Sequence, residues 1–435
     1  MRRESLLSLL LVVACGLAQA QSPPVQRLTI KEAVQLALRQ NPQLLIAELA
    51  AGERDQQQRV ALSALLPQAG FLAGQGVKSY NMQSIVGGPA PVRVGPFQAI
   101  GVGPAVSMTL FDLPLLRSYQ ASRDDARAAG FQESSVREQI TEIVVARYLA
   151  ILRAAANRDA AAERVDLAQR LYDQAVQLQK NGVGTDIDAL RAQVELQNEK
   201  QRLIDAETQR NTAIYALAQV LDLPRGEEPE PTDTMEFSQL PEVTPETAVS
   251  QALRDRPEMK ALLAAEHAAE LREKAAGEQR VPTIQVSSGY TYQARKPDDG
   301  LGAYSYALTL NLPLWTSGRI SAEHEKAALE RQRTKQQTKD VESAIEQQVR
   351  TALDQLKAAR QSVEVAELGL KLAREEVQRA RRRFEAGVAT NIEVVTAQSS
   401  LARADDNHIE ALYRFNQARA DLARSTGDAE NVYGK

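Results

Sequence analysis

Residues 349–384 read VRTALDQLKAARQSVEVAELGLKLAREEVQRARRRF, with one apolar pattern from end to end. Alanine occupies every seventh position, and a larger apolar residue recurs with the same spacing between the alanines. An unbroken heptad pattern of this kind predicts a long helix in a coiled coil, and the small residues predict a close approach of the helix backbones. The alanines are Ala352, Ala359, Ala366, Ala373 and Ala380, and the larger residues are Val349, Leu356, Val363, Leu370, Val377 and Phe384.

The chain contains a second copy of this unit. The motif Gly-Val-x-Thr-x-Ile at 182–187 recurs at 387–392, and residues 29–42 recur in part at 244–257. Internal similarity at a nearly fixed offset indicates a duplicated architecture. The sequence therefore predicts a first repeat at 21–223, a proline- and acid-rich linker at 224–243, a second repeat at 244–426 and a C-terminal tail at 427–435. The first repeat keeps the alanine pattern at Ala154, Ala161, Ala168 and Ala175.

Two long windows of the sequence, 115–223 and 314–435, contain no proline. Because a proline inside a helix costs about 3 kcal/mol, such windows are candidate long helices. The glycines near the repeated motif predict turns, which divide the windows into long helical hairpins at about 115–222 and 316–425. Shorter helices are predicted at 42–66 and 257–280. Each repeat is expected to hold one long helix beside two stacked shorter ones.

Alternation with a period of two residues is found only between the helical segments. Strand hairpins are predicted at about 69–112 and 283–314, with the apolar residues of each strand on one face and the polar residues on the other. Such segments are typical of a transmembrane β-barrel, and Phe111 and Trp315 stand where an aromatic membrane girdle is expected. Four strands are too few to close a barrel, and unpaired strand edges are not tolerated in lipid. If these strands face lipid, the chain must oligomerise, and three copies would supply twelve strands. A sheet packed on soluble helices is the alternative.

Composition and the N-terminus bear on location. Lys+Arg number 52 and Asp+Glu 56, so no charge excess suggests a nucleic-acid partner. No run of apolar residues is long enough for a mature transmembrane helix. Arg2 and Arg3, an apolar run at 6–17 and a small-residue site ending at Ala20 predict a signal peptide at 1–20. Cys15, the single cysteine, leaves a second interpretation open, because Val-Val-Ala-Cys at 12–15 also resembles a lipidation site.

The order of these parts resembles the outer membrane efflux protein family of TolC-like channels. The resemblance covers about 28–426 and is most specific at LPLWTSGR, residues 312–319, and at the paired glycine motifs. It implies a mainly helical homotrimer with a twelve-stranded barrel in the bacterial outer membrane, continued by a helical tunnel across the periplasm. It also implies a periplasmic adaptor and an inner-membrane pump as partners, and no cofactor. The expected function is a passive conduit from periplasm to exterior in a tripartite efflux or type I secretion system.

The resemblance also assigns roles to the helical tips. Asp188 and Glu393 match acidic residues of a periplasmic gate, where three copies would gather six carboxylates that favour cations. An acid in the first turn of a helix also stabilises that helix through its dipole, so both interpretations are open. Ala389 and Thr396 differ from charged residues found at these places in some relatives, so a salt-bridged lock there is not expected. A group of arginines before the second tip suits either an adaptor contact or a solvated face: Arg379, Arg381, Arg382 and Arg383. The tips expected to dock the adaptor comprise Gly182, Val183, Gly184, Thr185, Gly387, Val388, Ala389 and Thr390.

An enzyme is not expected. His267, His324 and His408 are far apart in the sequence, and neither a Cys/His ligand cluster nor a phosphate-binding loop motif occurs. A periplasmic adaptor is the main alternative, although it should have one helical hairpin and no duplicated amphipathic strands. A structural coiled-coil protein of the cell envelope is a further alternative, against which the strands argue.

Overall fold

The computed structural model describes residues 25–87, 89–182, 185–238, 243–294, 298–386, 388 and 391–434. The expected signal peptide and Cys15 lie outside the described residues. The strands are β1 Val25–Leu28, β2 Gln68–Asn81, β3 Arg93–Phe111, β4 Glu228–Pro231, β5 Thr283–Ala294 and β6 Leu301–Asn311. The helices are α1 Ile30–Gln40, α2 Pro42–Ser63, α3 Met82–Val86, α4 Leu113–Lys180, α5 Asp186–Val220, α6 Pro245–Asp255, α7 Pro257–Glu278, α8 Arg319–Glu385, α9 Asn391–Thr426 and α10 Ala429–Tyr433.

The order of these elements repeats once. Two helices, two strands, a long helix and a returning helix follow one another in each half, so α1–α5 correspond to α6–α9 apart from the short α3. The long helices α4 and α8 contain 68 and 67 residues. Thr29 caps α1 and forms a capping box with Glu32, while Pro257 occupies the first turn of α7, where its missing N–H is not needed.

Two compact units divide the chain, and they do not follow the repeats. The first comprises Met1–Leu45, Arg137–Ala252 and Gln347–Lys435, and the second comprises Ile46–Val136 and Leu253–Glu346. Each unit takes segments from both halves, because α4 and α8 are long enough to contribute to both. The repeats are therefore units of sequence and not of packing.

The first unit is built on the heptad pattern of alanines and larger apolar residues predicted for the two long helices, termed the alanine seam. Of the predicted seam in the second half, Ala352, Ala359, Ala373 and Ala380 are buried, as are Val349, Val363, Leu370 and Val377. Ala359 and Val363 of α8 pack with Ala411, Phe415 and Ala418 of α9. The first half follows the same plan, with Ala154, Ala161, Ala168 and Ala175 buried.

The linker and the tail of the first unit contain structure that the sequence did not predict. Strand β4 lies within the linker at 224–243 and pairs in parallel with β1, with Val25 opposite Glu228. Tyr148 of α4 holds this pair, because its hydroxyl lies 2.9 Å from the Leu28 carbonyl oxygen and 2.8 Å from the Asp233 carboxylate. The segment 427–435 contains α10, whose first N–H group, from Ala429, donates to the Glu138 carboxylate at 3.0 Å.

The second unit contains a four-stranded antiparallel sheet in the order β2-β3-β5-β6. Strands β2 and β6 are its edges. Helix α7 packs on the first part of α4 through Ala121, Ala268 and Leu271. His267 Nδ1 lies 2.6 Å from the buried Asp124 carboxylate. In the described part of the chain, no helix has the length and apolar character needed to cross a bilayer.

Candidate functional site

At the tip of the first helical hairpin, a glycine ends one helix and a threonine caps the next. Gly182 adopts a left-handed φ of 75°, which suits glycine and ends α4 after Lys180. Thr185 then caps α5: its hydroxyl accepts from the Asp188 N–H at 3.3 Å and donates to the Asp188 carboxylate at 2.6 Å. Asp188 thus takes part in the capping of its own helix. Val183 and Gly184 lie outside the described residues.

The tip of the second hairpin carries an ion pair. The Glu393 carboxylate lies 3.5 Å from the guanidinium of Arg383, and both side chains are about half exposed. Val388 is 68% exposed, and its N–H donates to the Arg383 carbonyl at 3.0 Å. Gly387, Ala389 and Thr390 lie outside the described residues. The sequence predicted a group of arginines here but not that Arg383 pairs with the candidate gate residue.

The two candidate gate residues therefore differ in charge environment. Asp188 makes no ion pair in the part of the chain that the structure describes, whereas Glu393 is partly neutralised by Arg383. No hydrogen bond or ion pair joins Asp188 to Glu393 within that part either. Both lie in the first turn of a helix, α5 or α9. Within one chain, the structure places each acid in the helical turn that follows its own tip.

Apolar residues hold the two hairpins side by side above the tips. Leu171 of the first hairpin packs into a cluster of the second, which contains Val377, Ala380, Val394 and Ala397. The first hairpin is closed by its own cluster of alanines, Ala175, Ala189 and Ala192. The close approach predicted from the alanine seam thus reaches the tips.

A charged cluster that the sequence did not reveal also joins the hairpins. Arg164 of α4 donates to the Asp406 carboxylate of α9 at 3.0 Å and lies 3.8 Å from the Glu199 carboxylate of α5. The Arg164 side chain is 18% exposed and that of Glu199 is 7% exposed. Burial raises the pKa of the Glu199 carboxyl, and the guanidinium groups of Arg202 and Arg164 oppose this shift. This cluster ties three helices together at a level away from the tips.

The four-stranded sheet has two chemically different faces. Residues that are paired across strands share a face, so the register assigns each residue to one of them. One face is apolar on the three strands β3, β5 and β6, with Ile284 opposite Leu310, Val286 opposite Leu308 and Val102 opposite Tyr292. The other face consists mainly of small and polar residues, with Leu72, Phe97 and Leu301 as larger apolar members. Its small and polar residues include Gly101, Ala105, Ser107, Thr109, Gln285, Ser287, Gly289, Thr291, Ala303, Ser305, Ala307 and Thr309.

Aromatic residues lie at both ends of the apolar face. Phe111 is paired with Ile284 of that face and is 41% exposed, and Trp315, four residues beyond the end of β6, is 87% exposed. At the opposite end of the face, Tyr290 is paired with Tyr304, whose ring lies 5.9 Å from that of Tyr306. The sequence predicted an aromatic border at Phe111 and Trp315 but not a second one at this tyrosine group. The signal that reveals it is the strand register, which places Tyr290 beside Tyr304.

In the described residues, no group of histidine, cysteine, aspartate and glutamate side chains is arranged to hold a metal ion. The described contacts of His267 go to Asp124, whereas His324 and His408 lie on α8 and α9.

The chain matches a known protein family over most of its length. Residues 33–222 and 248–428 match the model of the family described as outer membrane efflux protein. Protein CyaE from Bordetella pertussis is 27% identical over 437 residues, which cover 94% of this chain and 88% of that protein.

Two solved structures illustrate the likeness in fold. The outer membrane channel CmeC from Campylobacter jejuni superposes with a TM-score of 0.77 at 16% identity, covering 92% of this chain and 86% of that chain. The outer membrane protein VceC from Vibrio cholerae gives a TM-score of 0.77 at 17% identity and covers 92% of this chain and 96% of that chain. The family match spans both repeats, so the chain belongs to the outer membrane efflux protein family, whose channels lie in the bacterial outer membrane and extend into the periplasm.

Proposed function

We propose that the chain is the outer-membrane channel of a tripartite efflux or type I secretion system and acts as a passive homotrimeric conduit. The observation that carries this proposal is the two-faced sheet with free edges, in a chain that also forms long helical hairpins. An apolar face towards lipid and a small polar face towards a lumen are what a membrane barrel requires. Membership of a family of outer-membrane channels favours this function over a periplasmic adaptor or a structural coiled coil.

The edges of the sheet support a trimer. Among the residues that the structure describes, strands β2 and β6 each have a partner strand on one side only, so each leaves one row of backbone N–H and C=O groups unpaired. In a bilayer each unpaired group costs several kcal/mol, so β6 of one copy is expected to pair with β2 of the next. Three copies of a four-stranded sheet close a twelve-stranded barrel.

The apolar face has nearly the height that a membrane needs. Tyr304 and Leu312 are eight residue steps apart, which is roughly 26 Å along a strand. Because the strands of such barrels tilt by about 35–45°, this length spans roughly 20 Å of membrane thickness. The apolar band of outer-membrane barrels is roughly 25 Å tall and has aromatic residues at both borders. On this basis Phe111 and Trp315 mark the periplasmic border, and the tyrosine group at Tyr290 and Tyr304 marks the outer border.

The helical hairpins would then continue the barrel as a tunnel whose tips meet a periplasmic adaptor, while an inner-membrane pump supplies the energy. Val388, exposed at the second tip, suits an apolar contact with such an adaptor. Asp188 and Glu393 are proposed to lie at the narrow periplasmic entrance, and Gly182 to Thr185 with Gly387 to Thr390 form the docking tips. The pump, and not the passive conduit, would select the substrate.

The test combines location, assembly and conduction. We expect the protein in the outer-membrane fraction, as a trimer that survives mild detergent and dissociates on heating, and we expect discrete current steps in planar bilayers. A folded monomer in detergent would contradict the barrel. A stable trimer that never conducts would favour the structural alternative instead.

A further inference from the structure

The sheet carries two charged side chains, and they lie close together in the fold. Of all the residues in β2, β3, β5 and β6, every one of which is described, only Lys78 and Arg93 are charged. Strands β3 and β5 part at the pair Ile100–Ala294, whereas β2 and β3 remain paired as far as Asn81–Arg93. Residues 75–81 and 93–99, termed the β2–β3 arm, therefore extend beyond the rest of the sheet, and both charges lie on it.

The two charges are on opposite faces of the arm. Lys78 is paired with Phe97 and shares its face with Gly74 and Gly76, which belong to the small polar face. Tyr80 is on the Lys78 face too, since its ring contacts that of Phe97 at 5.9 Å across the register shift. Arg93 is paired with Asn81, which follows Tyr80 and therefore points the other way.

Lys78 has no acidic residue on its own strand hairpin. Residues 68–111 contain neither aspartate nor glutamate. The Lys78 side chain is exposed, and it makes no hydrogen bond or ion pair in the part of the chain that the structure describes. On its face, Gly74 and Gly76 precede Lys78 along β2, and its large neighbours, Tyr80 and Phe97, are aromatic and uncharged. A solvated charge of this kind acts over about 8 Å at physiological ionic strength.

We propose that the Lys78 residues of three copies form a basic ring at the outer end of the duct, which binds multivalent anions at the exit. This inference rests on the proposed function, because the small polar face must line the lumen. Like charges gathered in a channel with low-dielectric walls focus the field on the axis, so a polyanion meets all three ammonium groups together. The conduit then has acidic residues at its periplasmic tips and basic residues at its exit.

Arg93 provides the matched control, since it has the same charge on the same arm but faces away from the lumen. The probe is inositol hexaphosphate in low salt. It is added to the side of a planar bilayer on which the β2–β3 arm is exposed. We expect it to block the current through the wild-type channel from that side only. Lys78→Gln should raise the apparent Kd of the block by about tenfold or more, because a polyanion loses three close charges. Arg93→Gln should leave the Kd nearly unchanged.

The block should also weaken steeply in 1 M KCl, where the Debye length is about 3 Å. If Lys78→Gln leaves the block intact, or if Arg93→Gln weakens it equally, the ring is refuted while the duct stands. If no variant forms conducting pores, although each still runs as a folded trimer, the proposed duct is wrong and the ring with it.

Discussion

Asp421 of α9 is a half-buried carboxylate that accepts a hydrogen bond from Gln417 Nε2 at 2.7 Å. Burial raises the pKa of this carboxyl, and the bond from Gln417 opposes the shift without reversing it. A carboxyl with a raised pKa in the folded state stabilises the fold below its unfolded pKa, near 3.9. That contribution is lost as the pH rises through the folded value.

Asp421→Asn should therefore raise the melting temperature at pH 7, and the gain should vanish as the pH falls below about 4. Asparagine keeps the acceptor oxygen for Gln417 but never ionises. Asp205→Asn is the control, because Asp205 accepts the same bond from Gln201 on an exposed face, at 3.2 Å. Thermal unfolding in a pH series measures the effect, and equal curves for both variants would contradict the argument.

Tyr148 offers a second test at a single residue. Its buried hydroxyl contacts the Leu28 carbonyl and the Asp233 carboxylate, and it accepts from the Thr232 N–H at 3.2 Å. Tyr148→Phe leaves these groups without their partner, so it should reduce the free energy of unfolding by about 1–3 kcal/mol. Tyr215→Phe, at an exposed tyrosine of α5, should change it by less than about 0.5 kcal/mol. Chemical denaturation compares the two, and a small effect at Tyr148 would mean that water replaces the hydroxyl.

The repeat in the sequence predicts equivalent positions for single residues, but it does not predict which side chains of two helices contact each other. Asp188 and Glu393 follow from their equal distance to the paired glycines. The pairing of Arg383 with Glu393, and that of Arg164 with Asp406, depend on which faces of two helices meet. A heptad pattern shows which face of a helix is buried, but it does not show which polar residue of another helix lies opposite.

At the level of elements, the bounds of the long periodic helices were predicted to within a few residues. The helical hairpin expected at about 115–222 consists of α4 Leu113–Lys180 and α5 Asp186–Val220, and the helix expected at 257–280 is α7 Pro257–Glu278. Strand β4 was missed, because its sequence EPEP has neither apolar alternation nor a local partner, and its pairing strand β1 is about 200 residues away. Helix α10, with five residues, is too short to show a period.

The alanine seam predicts which substitutions the long helices tolerate. Ala359 is buried against Phe415 and Ala418, while its neighbour Ala358 is exposed. Ala359→Leu adds bulk where the backbones are close, and overpacking of this kind costs about 1–3 kcal/mol. Ala358→Leu introduces the same side chain one position round the helix and should cost much less. Denaturant midpoints of the two variants give the comparison, and similar losses would show that the seam is wrongly assigned.

In the whole molecule, the two sequence repeats and the two compact units divide the chain at different places. The duplication was readable because motifs recur at nearly fixed offsets, and the structure repeats the same order of elements. The compact units, however, each combine both halves, since α4 and α8 run through both units. The number of copies in the assembly likewise depends on how edge strands pair between chains, which no periodicity within one chain encodes.

The proposed periplasmic entrance unites both repeats and gives the final prediction. In a trimer, the tips would gather three copies of Asp188 and three of Glu393, but Arg383 lies 3.5 Å from Glu393 and offsets part of its charge. The single channel should thus prefer cations, and Asp188→Asn should reduce this preference more than Glu393→Gln does. Asparagine at 188 keeps an acceptor for the Thr185 hydroxyl, so the cap of α5 and the stability of the trimer should change little.

The double variant removes up to six charges and should abolish the preference, as measured by the reversal potential in a KCl gradient. Arg383→Gln is the opposing control, because exposing the full charge of Glu393 should strengthen the preference for cations. If the double substitution leaves the reversal potential unchanged, both acids only stabilise the first turns of α5 and α9. The narrowest point of the duct would then lie elsewhere along the helices.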